Sequence, residues 1–486
     1  MSDMKAIPEI FLPTLAAYIL VMAYLGYIAS KKTDTMKEFL TMGGAAGAIV
    51  GGLAYLTTQY SMSTFMGVPG SCFKSGWAIA GMTLTTAFTL WLPSTLVGGQ
   101  LQRLSKKIQL YTLSDYFASR YYSKFMRLIV CVLTVGLIVP IIGAQTLGAG
   151  IIWQVFTGYP EWMGVVMMSV VVTGYCLYGG IRGAMLTDVA QAMLMIFTSV
   201  FLFIAVLNFG GGLSEMNARL VALDIGRMSF PGSPAPVATY GWLFGNLFLW
   251  TFFTMGFPQL STKFFSMKNY ETVIRSSICT AIAAGFMGFL IYTVGSFSPL
   301  ILGLDIPRAD FAVPLVSSKL LSGWMASIMM AGILAAGMST IDSMLVVTAC
   351  SIVRDFYHNF IDTDATDAQQ FRLIRKVTVV LGVIGCLVGI FKPGTIFGII
   401  LFSFGGIGVL AIPLLLGVRW KRATREGAIV ATIAGEIYHV VAVLYPAYAF
   451  GCQAGIPALA LTLVVMVAVS LITPRPPLAV LRGHYE

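Results

Sequence analysis

The stretch "TFMGVPG", residues 64–70, places a Met-Gly-Val-Pro unit inside a long apolar run. A second unit of the same kind, "TMGFPQ" at residues 254–259, lies inside another apolar run. Proline removes a backbone donor and clashes with the preceding helical turn, and glycine weakens a helix further. Each unit is therefore predicted to interrupt a helix that would otherwise pass through it.

The surrounding composition indicates a membrane protein. The chain is 57% hydrophobic and 10% charged, with a mean hydropathy of +0.85, whereas soluble domains are about 25% charged. Runs of the roughly 20 apolar residues that a helix needs to cross a bilayer recur along the whole chain. These runs are too long and too uniformly apolar for barrel strands, so the predicted class is an all-α membrane protein.

Thirteen transmembrane helices are predicted. Their ranges are 9–29, 44–71, 77–101, 125–156, 161–178, 185–208, 239–264, 273–300, 320–351, 374–391, 395–418, 427–447 and 455–473. The first range follows an acidic start and lacks a small-residue cleavage site, so we expect a retained helix and not a signal peptide.

Basic residues cluster at alternate ends of the predicted helices. Most of the 30 Lys and Arg residues, Lys263 among them, fall on one set of connections. By the positive-inside rule this set is cytoplasmic, which places the N-terminus outside and the C-terminus in the cytoplasm of a cell membrane. The net charge of +10 is then an orientation signal, and we expect no nucleic-acid partner and no obligatory protein partner.

Two interrupted helices lie five predicted spans apart and have matching polar flanks. One such helix alone is more often a simple kink, but a matched pair is typical of transporters built from inverted repeats. We therefore expect residues 1–486 to form one transporter domain. Its predicted parts are an extra helix (1–29), a first repeat (44–208), an inverted second repeat (239–418) and two additional helices (427–473).

The ninth predicted helix carries the polar stretch "ILAAGMSTIDSMLVV", residues 333–347. Ala336, Ser339, Thr340 and Ser343 share one face of this helix because they lie three or four residues apart. A carbonyl and several hydroxyls are hard, neutral oxygen ligands, which suit a hard cation and not copper or zinc. The stripe therefore favours a Na⁺ site.

One helix cannot supply every oxygen of such a site. The interrupted second helix can add the backbone carbonyls of Thr57 and Tyr60, as unwound helices do at the coupling-ion sites of transporters.

Two carboxylates accompany this stripe. An ionisable group inside a membrane is costly, so Asp342 is predicted to be functional, although it could instead reach water or pair with a basic neighbour. Asp188 could pair with Arg182, or it could face the ninth-helix hydroxyls and add charge to a cation route. Because both carboxylates could also carry protons, a proton-coupled or facilitative transporter remains an alternative.

The chain resembles the sodium:solute symporter family along nearly its whole length. The likeness is carried, in order, by "TFMGVPGSCFKSG" (64–76), "LYTLSDYFASRY" (110–121), "YGGIRGAMLTDVAQAMLM" (178–195), "ILAAGMSTIDSMLVVTACSIVRDFY" (333–357) and "LGVRWKRATREGAIVATIAG" (416–435). The resemblance implies a LeuT-type 5+5 inverted-repeat core with one extra helix before it and two after it.

The resemblance also implies functional residues. A sodium site would use the carbonyls of Thr57, Tyr60 and Ala336 and the hydroxyls of Ser339 and Thr340. A second ion site, where relatives have one, would involve the following positions: Asp188, Ser339, Asp342 and Ser343.

The predicted substrate pocket lies between the two interruptions. Its expected lining is Gln59, Ser63, Thr64, Gln145, Trp250, Thr254, Pro258 and Gln259. No acidic residue near either interruption could pair with a substrate ammonium, and no Lys or Arg is expected there. A substrate carboxylate would then rest on helix N-terminal amides and hydroxyls.

The likeness is strongest to the pantothenate-transporting branch of the family, especially over residues 404–423. We therefore expect a small organic carboxylate, pantothenate or a short monocarboxylate. An amino acid is the alternative, because Trp250 resembles a substrate-contacting aromatic of the proline-transporting branch. That branch, however, has a carboxylate where this chain has Gln59.

Other classes of protein fit less well. The three histidines His358, His439 and His484 lie far from the polar stripe and supply neither a metal set nor a nucleophile, which argues against an enzyme. A membrane sensor would need a signalling domain, and the sequence ends soon after the last predicted helix.

Overall fold

The computed structural model describes residues 6–30, 41–81, 83–230, 232 and 240–485. Within these ranges the regular backbone is helical and contains no β-strand; one isolated bridge joins Ala46 to Met267. The prediction of an all-α protein is thus confirmed for the part of the chain that is described.

The helices, numbered in chain order, are α1 (Pro8–Ser30), α2 (Ala48–Gln59), α3 (Val68–Ser75), α4 (Trp77–Ala80), α5 (Thr83–Pro93), α6 (Gly99–Lys107), α7 (Leu113–Arg120), α8 (Lys124–Thr157), α9 (Glu161–Gly210), α10 (Leu213–Leu223), α11 (Tyr240–Gly256), α12 (Pro258–Ser266), α13 (Tyr270–Leu302), α14 (Ala312–Leu320), α15 (Gly323–Cys350), α16 (His358–Phe360), α17 (Asp367–Phe391), α18 (Ile396–Val409), α19 (Ala411–Arg419), α20 (Arg425–Leu444), α21 (Gly455–Ile472) and α22 (Leu478–Tyr485). Wider π turns occupy Ser63–Gly67, Ser94–Gly98 and Ser351–Tyr357, and 3₁₀ turns occupy Met42–Gly44, Ile225–Met228, Ala309–Phe311 and Pro446–Ala449.

Nine helical stretches in the described ranges are long and apolar enough to cross a bilayer. The remaining four predicted spans are divided or short. The second and seventh are each split into two helices at an interruption, the third is split by a π turn, and the fifth contributes an apolar helix from residue 161 to residue 177. The total of thirteen spans stays a prediction.

Helix α9 consists of two apolar arms, residues 161–177 and residues 183–210, where the sequence predicts two separate spans. Its first arm runs in the same direction as α15, because Met168 packs on Gly337 and the later Tyr175 hydroxyl donates to Asp342 at 3.0 Å.

The second arm of α9 runs the opposite way. The hydroxyl of Thr198 meets the carbonyl of Met329, nearer the start of α15 than the contacts of the first arm. The two arms therefore run in opposite directions along α15.

Helix α15 is the centre of the fold. Every residue from 329 to 350 is buried by its neighbours, which include α1, α2, α8, α9 and α17. Its hydroxyls and its carboxylate cannot reach water along this length, so their partners must come from other helices or from a bound ligand.

The two interruptions have nearly the same backbone geometry. Tyr60, which follows α2, has φ −83° and ψ 109°, and Phe257, between α11 and α12, has φ −82° and ψ 113°. The second interruption lies where "TMGFPQ" predicts it, between Gly256 and Pro258.

The first interruption does not lie where the sequence predicts it. It precedes the Met-Gly-Val-Pro unit, at residues 60–61, and Pro69 sits in the first turn of α3. The physical reason is the π turn Ser63–Gly67, in which the Val68 N–H reaches back to the Ser63 carbonyl. This wider spacing lets helical backbone continue up to the proline, which tolerates the first helical turn.

Helix α18 packs against both interrupted helices through glycines. A Cβ placed on Gly67 would lie 3.3 Å from Phe397, and one placed on Gly256 would lie 2.6 Å from the Ile407 carbonyl oxygen. The backbone of α18 comes so close to Gly256 that no side chain fits there. A glycine at this position therefore allows α11 and α18 to pack at this distance.

We predict that Gly256→Ala lowers the stability of the protein by about 1–3 kcal/mol, because the added methyl group overpacks the α11–α18 contact. The measurement is the unfolding midpoint of purified protein in detergent. Gly136→Ala is the matched control, since a Cβ at Gly136 meets no atom within 4 Å. Equal midpoints for both variants would contradict the prediction.

Candidate functional site

A hydrogen-bonded cluster joins the end of α2 to the middle of α15. The Ser339 hydroxyl lies 3.0 Å from the Thr57 carbonyl oxygen and 3.1 Å from that of Ala336. The Thr340 hydroxyl donates to the Ala336 carbonyl at 2.9 Å. All four residues are buried. The structure thus brings together four of the five residues predicted to form the sodium site.

The Thr57 carbonyl is available because α2 ends just beyond it. The chain is extended at Tyr60, and the next N–H groups turn to side chains: Ser61 donates to Thr64 Oγ1 at 3.4 Å and Met62 to Gln145 Oε1 at 2.8 Å. The backbone of the fifth predicted ligand, Tyr60, is therefore part of the interruption. The Tyr60 hydroxyl, donating to the Ala284 carbonyl, ties that turn to α13.

A buried ion pair lies beside this cluster. Lys263 Nζ is 2.7 Å from Asp188 Oδ2, and the two side chains are 1% and 0% exposed. The Thr57 side chain neighbours the same carboxylate. Lys263, which the sequence analysis counts among the cytoplasmic basic residues, is thus buried inside the protein beside the predicted ion-binding residues. The side chain of Arg182, the suggested partner of Asp188, lies outside the described residues.

Asp342 is fully buried and does not reach water. Its Oδ2 accepts a hydrogen bond from Tyr175, while Oδ1 has no hydrogen-bond partner among the described residues, and neither does the Ser343 hydroxyl. Asp342 also lies within electrostatic range of both Asp188 and Lys263. Two carboxylates and one ammonium group therefore share one buried region.

Four of the predicted substrate residues surround the first interruption. Gln145 reaches it from α8 through its carbonyl oxygen, and Thr64 accepts from the Ser61 N–H. The Ser63 hydroxyl and the Gln145 amide nitrogen are buried and lack partners within the described ranges. Gln59 is the last residue of α2 and is also buried.

The other four surround the second interruption. The Trp250 ring packs edge-on against Phe404 of α18, with centroids 5.2 Å apart. Thr254 donates to its own helix, 2.7 Å from the Thr251 carbonyl. Pro258 begins α12, and the next residue, Gln259, is fully buried with no partner for either amide atom in the described part of the chain. Buried polar atoms without partners are costly, so this amide points to a ligand.

The two substrate groups are linked through α18, which packs on the π turn of the first interruption and on Gly256 of the second. A model of the sodium:solute symporter family matches residues 39–435. The chain belongs to this family. It is accordingly a multi-pass membrane protein that couples Na⁺ to the movement of a solute, and it is not an enzyme.

Two characterised relatives match this symporter over most of its length. The sodium/pantothenate symporter of Escherichia coli (strain K12) is 29% identical over 471 residues, which cover 94% of this chain and 95% of the relative. The sodium/proline symporter of the same organism is 26% identical over 462 residues, with 90% and 88% covered. Both substrate classes thus occur among proteins similar to this one.

Solved structures share the fold. A Na⁺-coupled sialic acid symporter in a substrate-bound outward-open state matches with a TM-score of 0.82 and 19% identity, covering 96% of this chain and 98% of that one. A nucleobase-cation-symport-1 family transporter in a closed conformation matches with a TM-score of 0.62 and 15% identity, covering 93% and 98%. The symporter fold therefore spans nearly the whole chain.

Sequence reasoning missed Lys263 and Tyr175 as members of this region. Lys263 could have been found, because an ammonium group within a predicted membrane span is a functional hypothesis with a partner to be named. Tyr175 carries no such signal, since tyrosine is ordinary in a membrane helix and its partner Asp342 is 167 residues away.

We predict that Lys263→Gln destabilises the symporter by about 3–5 kcal/mol, because it leaves a buried carboxylate without its counter-ion. The double variant Asp188→Asn/Lys263→Gln should recover most of that loss. Unfolding midpoints in detergent, measured in K⁺ without Na⁺, test this.

Arg275→Gln is the control for this prediction. It breaks the Arg275–Glu271 pair, whose side chains are 71% and 67% exposed, and exposed pairs contribute at most about 1 kcal/mol. A double variant no more stable than Lys263→Gln would show that the two residues do not compensate each other.

Proposed function

We propose that this symporter imports a small organic carboxylate, pantothenate or a short monocarboxylate, driven by Na⁺ that binds at the first interruption. The observation that carries the proposal is the Ser339–Thr57 hydrogen bond. It joins a released backbone carbonyl to a hydroxyl-lined helix at the same place where the Na⁺ ligands are predicted.

In this proposal Na⁺ is held by the carbonyls of Thr57, Tyr60 and Ala336 and by the hydroxyls of Ser339 and Thr340. A hard cation prefers oxygen ligands, and each hydroxyl needs only to rotate its proton away to offer a lone pair. Bound Na⁺ ties α2 to α15. Transport is coupled because Na⁺ and substrate both prefer the conformation in which these two helices are joined.

The substrate is proposed to lie between the interruptions, against α18. Gln59, Ser63 and Gln145 would contact it from one side and Trp250 and Gln259 from the other, with these neighbours completing the pocket: Thr64, Thr254 and Pro258. A carboxylate fits the start of α12, where the helix dipole favours negative charge and the Gln259 side-chain amide has no partner among the described residues. The pantothenate symporter relative supports this substrate class.

The membrane arrangement remains part of the proposal. Thirteen spans in a cell membrane, with the N-terminus outside and the C-terminus cytoplasmic, would place residues 44–208 and 239–418 as inverted repeats. Contacts between the two proposed repeats support this. Helices α2 and α3, at the start of the first repeat, pack on α13, the second span of the second repeat. Helix α11, at the start of the second repeat, packs in the same way on α5, in the second span of the first repeat. The shared backbone geometry of Tyr60 and Phe257 supports it as well.

A proline-like amino acid is the second candidate. It is favoured by the proline symporter relative and by the buried Trp250, whose ring could cover an apolar substrate ring. A proton in place of Na⁺ is a further alternative at Asp188 or Asp342.

We predict that Thr340→Ala raises the Na⁺ concentration for half-maximal uptake at least about tenfold, equivalent to about 1.4 kcal/mol, by removing one ligand. Uptake into proteoliposomes at fixed substrate measures it. Thr348→Ala, a hydroxyl on the same buried helix two turns further on, serves as the control. Unchanged Na⁺ dependence for Thr340→Ala and Ser339→Ala together would remove both residues from the site.

The substrate is tested by thermal stabilisation of purified protein with pantothenate, lactate, proline and glucose, each in Na⁺ and in K⁺. A ligand that binds the folded state raises the melting temperature, and at equal concentration a tighter ligand raises it more. We expect a rise with pantothenate or lactate in Na⁺ only. A rise with proline alone would favour the second candidate, and equal rises in K⁺ would contradict sodium coupling.

A further inference from the structure

We infer that the ammonium group of Lys263 is a built-in second cation, which leaves this symporter with one exchangeable Na⁺ per cycle. The inference rests on the proposed Na⁺ site at Thr57 and Ser339 and goes beyond it by assigning a stoichiometry and the residue that sets it.

Lys263 is placed where a free cation would otherwise be needed. It lies in the last turn of α12 and reaches the middle of α9 to contact Asp188 at 2.7 Å. Both side chains are enclosed, so the ammonium group has given up its water, and Asp188 is its only ion-pair partner in the described structure. Burying a lysine here costs desolvation free energy that burying an apolar residue would not cost.

The ion pair occupies a position predicted for a second ion. Asp188 is one of the residues that a second ion site would use, and its Oδ2 already lies 2.7 Å from the Lys263 ammonium group. The positive charge that a mobile cation would bring to this carboxylate is therefore supplied by the protein itself. The Na⁺ proposed for the neutral oxygen cage next to Thr57 is then the one mobile cation.

Oxygen atoms that could hold a second cation lie on the same side chains, with the Thr57 side chain next to Asp188 and the Ser343 side chain next to Asp342. Asp188 Oδ1, Asp342 Oδ1 and the Ser343 hydroxyl are buried and have no hydrogen-bond partner among the residues that the structure describes. These atoms are hard oxygen ligands of the kind that Na⁺ binds. The tethered ammonium group therefore competes with Na⁺ for a region that is otherwise built to hold it.

The test counts bound Na⁺. Purified protein in detergent is titrated with radiolabelled Na⁺, and the number of ions per chain is measured at saturation by scintillation proximity. We expect one Na⁺ for the wild type and two for Lys263→Gln. Lys268→Gln, the same substitution at an exposed position five residues on, should bind one.

Melting temperatures give a second readout. In K⁺ alone Lys263→Gln should melt below the wild type, and Na⁺ should raise its melting temperature more than it raises that of the wild type, because a second ion replaces the lost charge. If Lys263→Gln does not fold, Asp188→Asn/Lys263→Gln carries the test. This double variant removes both charges of the ion pair. It should bind one Na⁺ with an affinity within about threefold of the wild type.

Two bound Na⁺ in the wild type, or one in folded Lys263→Gln, would overturn this inference and leave the proposed function standing. Loss of Na⁺ binding in the double variant would also overturn it, since Asp188 would then be a direct ligand. No bound Na⁺ in the wild type would instead overturn the proposed function, and this inference with it.

Discussion

The carbonyl of Thr57 is the group on which the arrangement of this symporter depends. Helix α2 ends at Gln59, so the N–H that would satisfy this carbonyl in a continuous helix has turned away to Thr64. A backbone oxygen left alone in a water-poor interior is costly. The Ser339 hydroxyl of α15 meets that need, and the hydrogen bond joins two helices 282 residues apart in the chain. In the proposed mechanism, a bound cation takes the place of this hydrogen bond between Ser339 and Thr57.

The burial of α15 limits what its hydroxyls can bind. No residue between 329 and 350 is open to solvent, so the hydroxyls of Ser339 and Thr340 have only protein oxygens or an ion as partners. In the proposed mechanism, a hydrogen bond and a cation compete for the same oxygen atoms. Helix α15 also packs on α9, the helix that carries Asp188.

The sequence was most informative where local chemistry decides the structure. Proline and glycine interrupt the helix at Gly256 and Pro258 as predicted, because no wider turn precedes them. At Pro69 the π turn Ser63–Gly67 lets the helix continue up to the proline, so the backbone is not interrupted there. Composition does not reveal a π turn. The first interruption is therefore predicted several residues too late in the sequence. The polar stripe of α15 follows from helical periodicity. Its partner Thr57 was inferred from the interruption of the second helix and is also implied by the family resemblance, since contacts between distant segments leave no trace in one sequence. The Asp188–Lys263 contact, across 75 residues, was missed for that reason.

The central claim is that Na⁺ is held between the Thr57 and Ala336 carbonyls and the hydroxyls of Ser339 and Thr340. Structures of the purified protein determined in Na⁺ and in N-methylglucamine test it most directly. The account predicts ion density among these oxygens in Na⁺ only, with the Ser339–Thr57 hydrogen bond restored when Na⁺ is absent. Ion density at a different place, or an identical hydrogen-bond network in both conditions, would contradict it.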